Sequence, residues 1–574
     1  MNRILRVRMG QQEAESATSP PKYETFGGRA LTAHLLLDEV EPTCDPLGPS
    51  NKLIFAPGLL GGLQSLSSTG RLSVGGKSPL TGGIKEANAG GTMGDALGQL
   101  GAKALVVEGQ PEGDAWYLLV VTAQDAYLSP ADDLQGLGTY ETVRRLRRRF
   151  GDDAAIACIG PAGEMQMGGA GIAITDDFTK EAGRFAARGG LGAVMGSKNL
   201  KAVVVDATGA PDLPIADESL FRESARRFSR ELIDSPKTGR EGSMHRYGTS
   251  AILLPVNEIG ALPTRNFSEG QFEAADALSG PCLRDVTLER GGKVGVRCMA
   301  GCVIRCCNVF VDEDGEPIVS TLQYETICLM GSNLDIDNLD DVARLNRVCN
   351  DLGLDTIETG AALGLAMEAG LVPFGDVDGA LALLDQVREG TVVGRVLGNG
   401  AETTGRVLAL NRIPAARGQA FPAYDPRALK GNGVTYATSA MGADHTAGNA
   451  IGSRKTVDPL GREGQAELSR GLQRVAAMLD MTGLCLFARP PVVADPQLMV
   501  DLINGRYGWG WTVADLEDAE HDVLRTEREF NRRAGFNEVH DRLPEAFCRQ
   551  PLPPHNAVFD ISEQELAKVT ADLS

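Results

Sequence analysis

The hydrophobic pattern changes character along the 574 residues. Up to about residue 208 the apolar positions come in short runs rich in valine, leucine and alanine: KALVVEG (103–109), WYLLVVT (116–122), AAIACIG (154–160) and KAVVVDA (201–207). Glycine and proline separate them, which predicts a strand-rich first domain over 1–208. GAPDLPIADES (209–219) reads as a linker. Beyond it apolar residues recur every three and four positions in LDDVARLNRVCNDLGL (339–354), TGAALGLAMEAG (359–370) and VDGALALLDQVREG (377–390), predicting a helical domain over 209–417. A second helical domain follows over 418–574, carried by LSRGLQRVAAMLDM (468–481) and DLEDAEHDVLRTEREFNRRAG (515–535). The predicted class is α+β, a β-rich base followed by two mainly α-helical domains. No fixed-period repeat is evident.

Composition narrows the function. With 43% apolar and 23% charged residues the chain can bury a large core. Its formal charge of -20 argues against nucleic-acid or anionic-membrane binding, which require a positive surface. The N-terminus lacks the apolar core of a secretory signal, and no stretch approaches the roughly 18 apolar residues of a membrane span. A cytoplasmic protein is expected. The arginine run VRRLRRRF (143–150) reads as one basic helix face.

Cysteine usage changes the picture most. Of 11 cysteines, Cys298, Cys302, Cys306 and Cys307 fall in RCMAGCVIRCCNV (297–309). In a chain expected to be cytoplasmic, such crowding favours metal or redox chemistry over disulfides. The spacing i, i+4, i+8 puts three thiols on one helix face or in one chelating loop. Zinc sites usually recruit two close pairs or histidines, and neither occurs here. Iron–sulfur clusters use closely spaced thiolates and a remote one, for which Cys485 in DMTGLCLFAR (480–489) is the candidate. Buried structural thiols and zinc are the competing readings; spacing alone puts a cubane cluster ahead of both.

Several segments together resemble the aldehyde:ferredoxin oxidoreductase family: GRALTAHLLLDEVEPTCDPLGPSNKLIFAPGLLGG (28–62), GKSPLTGGIKEANAGG (76–91), RGGLGAVMGSKNLKAV (188–203), YETI (324–327), AYDPRALKG (423–431), MGADHTAG (441–448) and REFNRRAGF (528–536). The resemblance implies a tungsten or molybdenum bis-pterin cofactor, one 4Fe–4S cluster and Mg²⁺ bridging the pterin phosphates. It places Arg71, Asn88, Arg188, Gly189 and Gly190 as phosphate-side contacts; guanidinium forks suit phosphate oxygens. Two D-x-x-G-L motifs would hold the pterins. DMTGLC supplies Asp480 and Leu484 in full, whereas NDLGLD carries Asn350 in place of the acid, followed by Asp355. The cluster ligands implied are Cys298, Cys302, Cys306 and Cys485, although the family's usual spacing is one residue shorter between the first two.

For chemistry the resemblance implies Glu325 and His445 as active-site acid–base residues and Tyr424 over the substrate carbonyl. A carboxylate in a dry pocket can take up and release a proton near neutrality, and the other two can donate to a developing oxyanion. Cys328 is unusual beside Glu325; a thiol there suits a soft metal or simply fills the core. The E-x-x-H pair that bridges an iron between some family dimers is absent from ARLNRVCN (343–350), and a homodimer or hetero-oligomer is still expected. The expected activity is aldehyde oxidation, with electrons leaving to ferredoxin or an iron–sulfur subunit. An aromatic acyl-CoA reductase subunit, of the benzoyl-CoA type, and a catalytically silent pterin-binding subunit are the alternatives.

Overall fold

A computed structural model describes residues 2–573. Its first part is built from two units with the same plan. The first contains β1 (Arg3–Arg8), β2 (Glu13–Thr18), α1 (Gly28–Glu39), β3 (Leu53–Pro57), β4 (Leu72–Lys77), β5 (Ile84–Ala89), α2 (Met93–Gln99) and β6 (Ala102–Glu108). The second contains β7 (Tyr117–Val121), β8 (Ala126–Pro130), α3 (Thr139–Phe150), β9 (Ala155–Cys158), β10 (Ile172–Thr175), β11 (Ala182–Ala186), α4 (Leu191–Ser197) and β12 (Leu200–Val205). The sheets run β2-β1-β6-β3-β4-β5 and β8-β7-β12-β9-β10-β11. In each, the first and last strands of the unit pair in parallel and the other neighbours pair antiparallel.

This duplication corrects the expectation of no repeat. Its trace in the sequence is thin: a Gly-Gly turn followed by Lys-Ala and an apolar run, in Gly90–Gly91 with Lys103–Ala104 and in Gly189–Gly190 with Lys201–Ala202. A stacked array keeps its sequence repeat because every unit meets a like neighbour. Two units that pack on different partners have no such constraint.

Residues of both sheets share one core. Val7, Phe55, Val74 and Val107 from the first sheet join Leu119, Ile156, Ile172 and Val203 from the second. The opposite face of the first sheet is covered by Leu31, Leu35 and Leu36 of α1, packed on Ile54, Ala56 and Val106. The continuous apolar runs of β6 and β12 follow from being central and covered on both faces. Edge strands β5 and β11 lie side by side, so the Gly-Gly turns that follow them emerge together.

The remainder is mainly helical, as predicted. It includes α5 (Tyr324–Met330), α6 (Leu339–Leu352), α7 (Thr356–Glu368), α8 (Gln465–Thr482) and α9 (Val513–Arg533). Both α6 and α8 end on a left-handed glycine, Gly353 (φ 75°) and Gly483 (φ 81°). At Gly483 an added Cβ would also lie 3.0 Å from the Gly58 Cα and the Thr69 carbonyl, so no side chain fits there without movement. α8 and α9 pack on α1, which ties the last part of the chain to the first sheet. The cysteine segment is a loop between two short strands, Lys293–Val296 and Cys307–Val311, so the arc and not the helix face is the arrangement adopted. Among the described residues no single helix is long and apolar enough to cross a membrane.

Candidate active site

The turns after β5 and β11, the ends of α6 and α8 and the start of α5 surround one cavity. Its lining includes Arg71, Asn88, Gly90, Arg184, Arg188, Cys298, Cys306, Cys307, Glu325, Asn350, Asp355, Asp444, His445 and Cys485. Most of the residues expected from the sequence therefore meet in one place. Larger clefts of about 660 and 860 Å³ elsewhere contain none of them.

One wall carries sulfur. Cys298, Cys306 and Cys307 line it together, with Cys307 within electrostatic reach of both the others. Cys302 neighbours Cys298 and takes a hydrogen bond from Ser68 Oγ at 3.5 Å. Cys485 lies within electrostatic reach of Cys298 and Cys302, and its amide donates to the Ser68 carbonyl at 2.8 Å. Arg71 acts on Cys298 and Cys485, Arg184 on Cys298 and Cys307. Burial, with the charges of Cys298 and Cys302, pushes the Cys485 thiol up to about 11. Among the described residues no three Cys, His, Asp or Glu side chains close on a point that a single ion would occupy.

Beside the thiols, Arg71 Nε donates to Asn88 Oδ1 at 2.5 Å and its Nη2 to the Asn88 carbonyl at 3.1 Å. The turn that carries them needs its glycine: a Cβ at Gly90 would lie 3.2 Å from Arg71 Nη1 and 3.3 Å from Cys298 Sγ. Asp480, in the last turn of α8, is buried against Arg29 (3.3 Å) and beside Glu86. Arg29 itself is gripped by Glu527 at 2.7 and 2.9 Å. Burial and the neighbouring Glu86 carboxylate push Asp480 well above the usual range, with Arg29 and Arg71 opposing. Leu484 is packed in the core behind Cys485.

The opposite wall is held by Arg188. Its guanidinium donates to the Ala443 and Ala420 carbonyls, both at 2.6 Å, and to Asp355 and Glu358 at 3.3 and 3.4 Å. Arg188 thus ties four segments together while still lining the cavity. Burial pushes Glu358 up to about 7 against the pull of Arg188. Asp355 caps α7 through the Ile357 amide. Asn350 donates to Tyr140 Oη at 3.1 Å. Gly189 and Gly190 do not line the cavity; they let the turn approach Lys85 and Gly168, which an added Cβ would meet at 2.5 and 2.6 Å.

Between the walls stand the acid–base candidates. Glu325, in the first turn of α5, accepts from the Ala423 amide at 2.7 Å through Oε2. Its Oε1 lies 3.4 Å from His445 Nε2 without hydrogen-bond alignment, and both Glu325 Oε1 and His445 Nδ1 are buried with no hydrogen-bond partner. Asp444 precedes the histidine and is anchored to buried Lys85 at 2.6 Å. Burial would raise the Asp444 carboxyl, but Lys85, Arg188 and His445 outweigh it and hold it far below the usual range. Tyr424 is buried behind His445, ring centroids 6.2 Å apart. Cys328 is fully buried in the helical core beside Tyr324 and is not among the lining residues.

Lys85, Asp444, Arg184, Arg29, Glu527 and Glu358 went unnoticed in the sequence. For Asp444 the signal was present, next to His445 in MGADHTAG. The others are joined to their partners only by the fold.

Comparison with known proteins bears on this arrangement directly. Residues 4–207 match the N-terminal domain of aldehyde ferredoxin oxidoreductase, and residues 223–569 match its domains 2 and 3. The chain belongs to the aldehyde ferredoxin oxidoreductase family. It is 34% identical over 96% of its length, and 92% of theirs, to the tungsten-containing aldehyde ferredoxin oxidoreductase of Pyrococcus furiosus, and 33% identical, with the same shares, to that of Thermococcus kodakarensis. A WOR-like subunit of an aliphatic sulfonate oxidoreductase of Pyrococcus furiosus is 27% identical over 74% of this chain and 71% of its own. The active-site complex of a benzoyl-coenzyme A reductase solved with 1,5-dienoyl-CoA superimposes with a TM-score of 0.80, covering 100% of this chain and 93% of that one at 18% identity, which is a likeness of fold. Family membership makes the chain an oxidoreductase enzyme.

Proposed function

We propose that this chain oxidises aldehydes to carboxylic acids on a tungsten (or molybdenum) bis-pterin cofactor, releasing two electrons and two protons per turnover. Cys298, Cys302, Cys306 and Cys485 would hold a 4Fe–4S cluster. Arg71, Asn88, Asp480 and Asn350 would meet the pterins, and Mg²⁺ would bridge their phosphates. The residues fit these groups: a wall of thiols flanked by guanidinium charge, carboxylate and amide acceptors at two helix ends, and a glutamate lining the cavity. When bound, the metal–pterin group takes up the two electrons and the cluster relays them singly to ferredoxin or an iron–sulfur subunit.

The observation that carries the proposal is the pair of unpartnered atoms, Glu325 Oε1 and His445 Nδ1, in a buried pocket. A buried polar atom left without a partner is costly, and such atoms collect where a ligand completes them. The Ala423 amide fixes Glu325 through Oε2 and leaves Oε1 free to take the proton of the attacking water. His445 offers an N–H to the substrate oxygen, and Tyr424 sets the ring from behind. The runner-up, reduction of an aromatic acyl-CoA, rested on Cys328 as a metal ligand, and the burial of that thiol in the core removes its support.

The test is anaerobic purification, metal analysis and benzaldehyde oxidation with a viologen acceptor. About one tungsten or molybdenum and about four irons per chain are expected. Glu325→Gln is expected to lower kcat by about 10² to 10⁴ with metal content unchanged, the range for loss of a general base. A fully metallated protein that oxidises no aldehyde, or a Glu325→Gln variant with unchanged kcat, would sink the proposal.

A further inference from the structure

The chain carries a formal charge of -20, yet one shallow surface cleft of about 540 Å³ is lined by three arginines and no acid. Arg222, Arg226 and Arg230 project at four-residue spacing from the exposed face of the helix Glu218–Asp234, and Ile233 stands beyond them, 52% exposed. Arg222 pairs with Glu218 at 2.9 Å, an exposed pair of the weak kind that a partner readily replaces. Among the described residues Arg226 and Arg230 have neither an ion-pair nor a side-chain hydrogen-bond partner. Like charges set one turn apart without a counter-charge repel, a cost that an acidic partner would remove.

The other wall of the cleft is Ser65, which belongs to the strip of chain that backs the cysteine loop. A Cβ at Gly301 would lie 3.1 Å from the Gln64 carbonyl and 3.9 Å from that of Leu66. The Val303 amide donates to Ser67 Oγ at 3.1 Å. Ser68 Oγ donates to Cys302 Sγ at 3.5 Å, and its carbonyl accepts from the Cys485 amide at 2.8 Å. Three residues of chain, about 11 Å at full stretch, therefore join Ser65 in the cleft to the serine that bonds two of the candidate cluster cysteines. Gln64, Ser65 and Gly301 are exposed, so the cysteine loop reaches solvent where it meets this strip. Arg305, in the same loop, adds an exposed cation with no ion pair among the described residues.

We infer that the face made by Arg222, Arg226 and Arg230 beside Ser65 is the docking surface for a small, acidic, one-electron iron–sulfur protein. The inference rests on the cluster proposed above and adds to it the place of electron exit and the charge of the partner. A chain with so large an excess of acid repels an acidic carrier over most of its surface, so a local positive face decides where the carrier settles. The face is charged and has one exposed apolar side chain, which suits an encounter that forms and dissolves at each transfer rather than a permanent subunit. Aldehyde and water give the carboxylic acid, two protons and two electrons; each docked carrier accepts one electron, so two carriers are reduced per aldehyde.

The experiment uses the anaerobically purified holoenzyme with a purified acidic two-cluster ferredoxin as the probe. Wild type is compared with the double variant Arg226→Glu/Arg230→Glu and with Arg549→Glu, an exposed arginine outside the cleft. Calorimetry gives the affinity for oxidised ferredoxin, and turnover of benzaldehyde gives the KM for ferredoxin and the rate with a viologen instead. An affinity that weakens with salt and drops about tenfold in the double variant, with a matching rise in KM, is expected; tenfold is a modest part of the range over which charge steers association. Viologen rates and iron content should stay at the wild-type level, and Arg549→Glu should bind ferredoxin as wild type does. Equal affinity and KM in all three proteins overturn the docking face, while benzaldehyde turnover with viologen preserves the aldehyde reading. Ferredoxin binding that needs the two arginines, in a protein that oxidises no aldehyde, sinks that reading and keeps the face. An iron–sulfur protein that copurifies at fixed ratio and stays bound in high salt overturns the mobile carrier in favour of a permanent subunit. A dimer by light scattering that falls apart in the double variant overturns it in favour of a second copy of the chain.

Discussion

The two walls of the cavity are made from the same devices and have come to opposite electrostatic arrangements. Each has a Gly-Gly turn from one of the duplicated sheets and a helix end closed by a left-handed glycine. On the thiol side the helix end carries Asp480, crowded by Glu86 and held by Arg29. On the other side it carries Asn350, neutral and bonded to Tyr140. The turns differ as well, since Arg71 bonds Asn88, whose amide also donates to Glu86 at 3.2 Å, while Arg188 is held by two backbone carbonyls and two acids. The backbone plan is therefore shared and the side chains differ: a buried acid within a charged network at one helix end, a neutral amide at the other.

The largest expected effect separates the walls by metal. Cys485→Ser is expected to remove nearly all of the roughly four cluster irons, because an alkoxide is a poor substitute for a thiolate ligand. Cys328→Ser, in the core by Tyr324, is expected to keep them. Iron analysis of the two variants decides it, and equal iron in both would erase the distinction drawn between these buried thiols.

Next comes the charge at Asp480. Burial and Glu86 raise this carboxyl in the folded state, so its favourable contribution is complete below the usual carboxylate range and is lost as pH rises through the raised value. Stability of the cofactor-free protein should accordingly fall across that window. Asp480→Asn is expected to flatten the profile, since Glu86 loses its rival and Arg29 keeps Glu527 at 2.7 Å. Thermal melts from pH 4 to 8 read this out, and a steeper profile in the variant would contradict it. The same substitution should weaken retention of the pterin.

The glycine caps should behave alike. Gly483→Ala and Gly353→Ala each place a Cβ at positive φ, at a cost of about 1–2 kcal/mol, and each meets backbone, Gly58 Cα at 3.0 Å and Gly160 N at 2.8 Å respectively. A large difference between their melting temperatures would mean that the two helix ends are not equivalent frames.

How much of this was legible in the sequence follows from which residues do the work. The four strands recognised in advance, β6, β7, β9 and β12, are nearly all apolar and buried along their length. β4 (LSVGGK) and β5 (IKEANA) were missed because their polar and glycine positions serve other ends: a Cβ at Gly75 would strike Thr32 of α1 at 2.5 Å, and Lys85, Glu86 and Asn88 serve the cavity and its surroundings. The thiols, Glu325 and His445 were legible through motif and resemblance. Lys85–Asp444 and Arg29–Glu527 were not, because partners 359 and 498 residues apart leave no local pattern.

The smallest effect is the most discriminating, because it asks whether the neutral wall is neutral of necessity. Asn350→Asp restores the acid of the family motif and removes the Nδ2–H that now reaches Tyr140 Oη. The phenol can rotate to donate to the new carboxylate, and Arg347, its guanidinium 3.6 Å above the Tyr140 ring, supplies positive charge nearby. Loss of stability in the cofactor-free protein should therefore stay under about 1 kcal/mol, well below the cost of an unpaired buried charge. If pterin binding uses this position as it uses Asp480, tungsten or molybdenum should survive dialysis better in the variant than in the parent. A destabilisation of about 3 kcal/mol instead would show that the wall held by Arg188 tolerates no further negative charge beside Asp355 and Glu358, and that Asn350 is there to keep that count fixed.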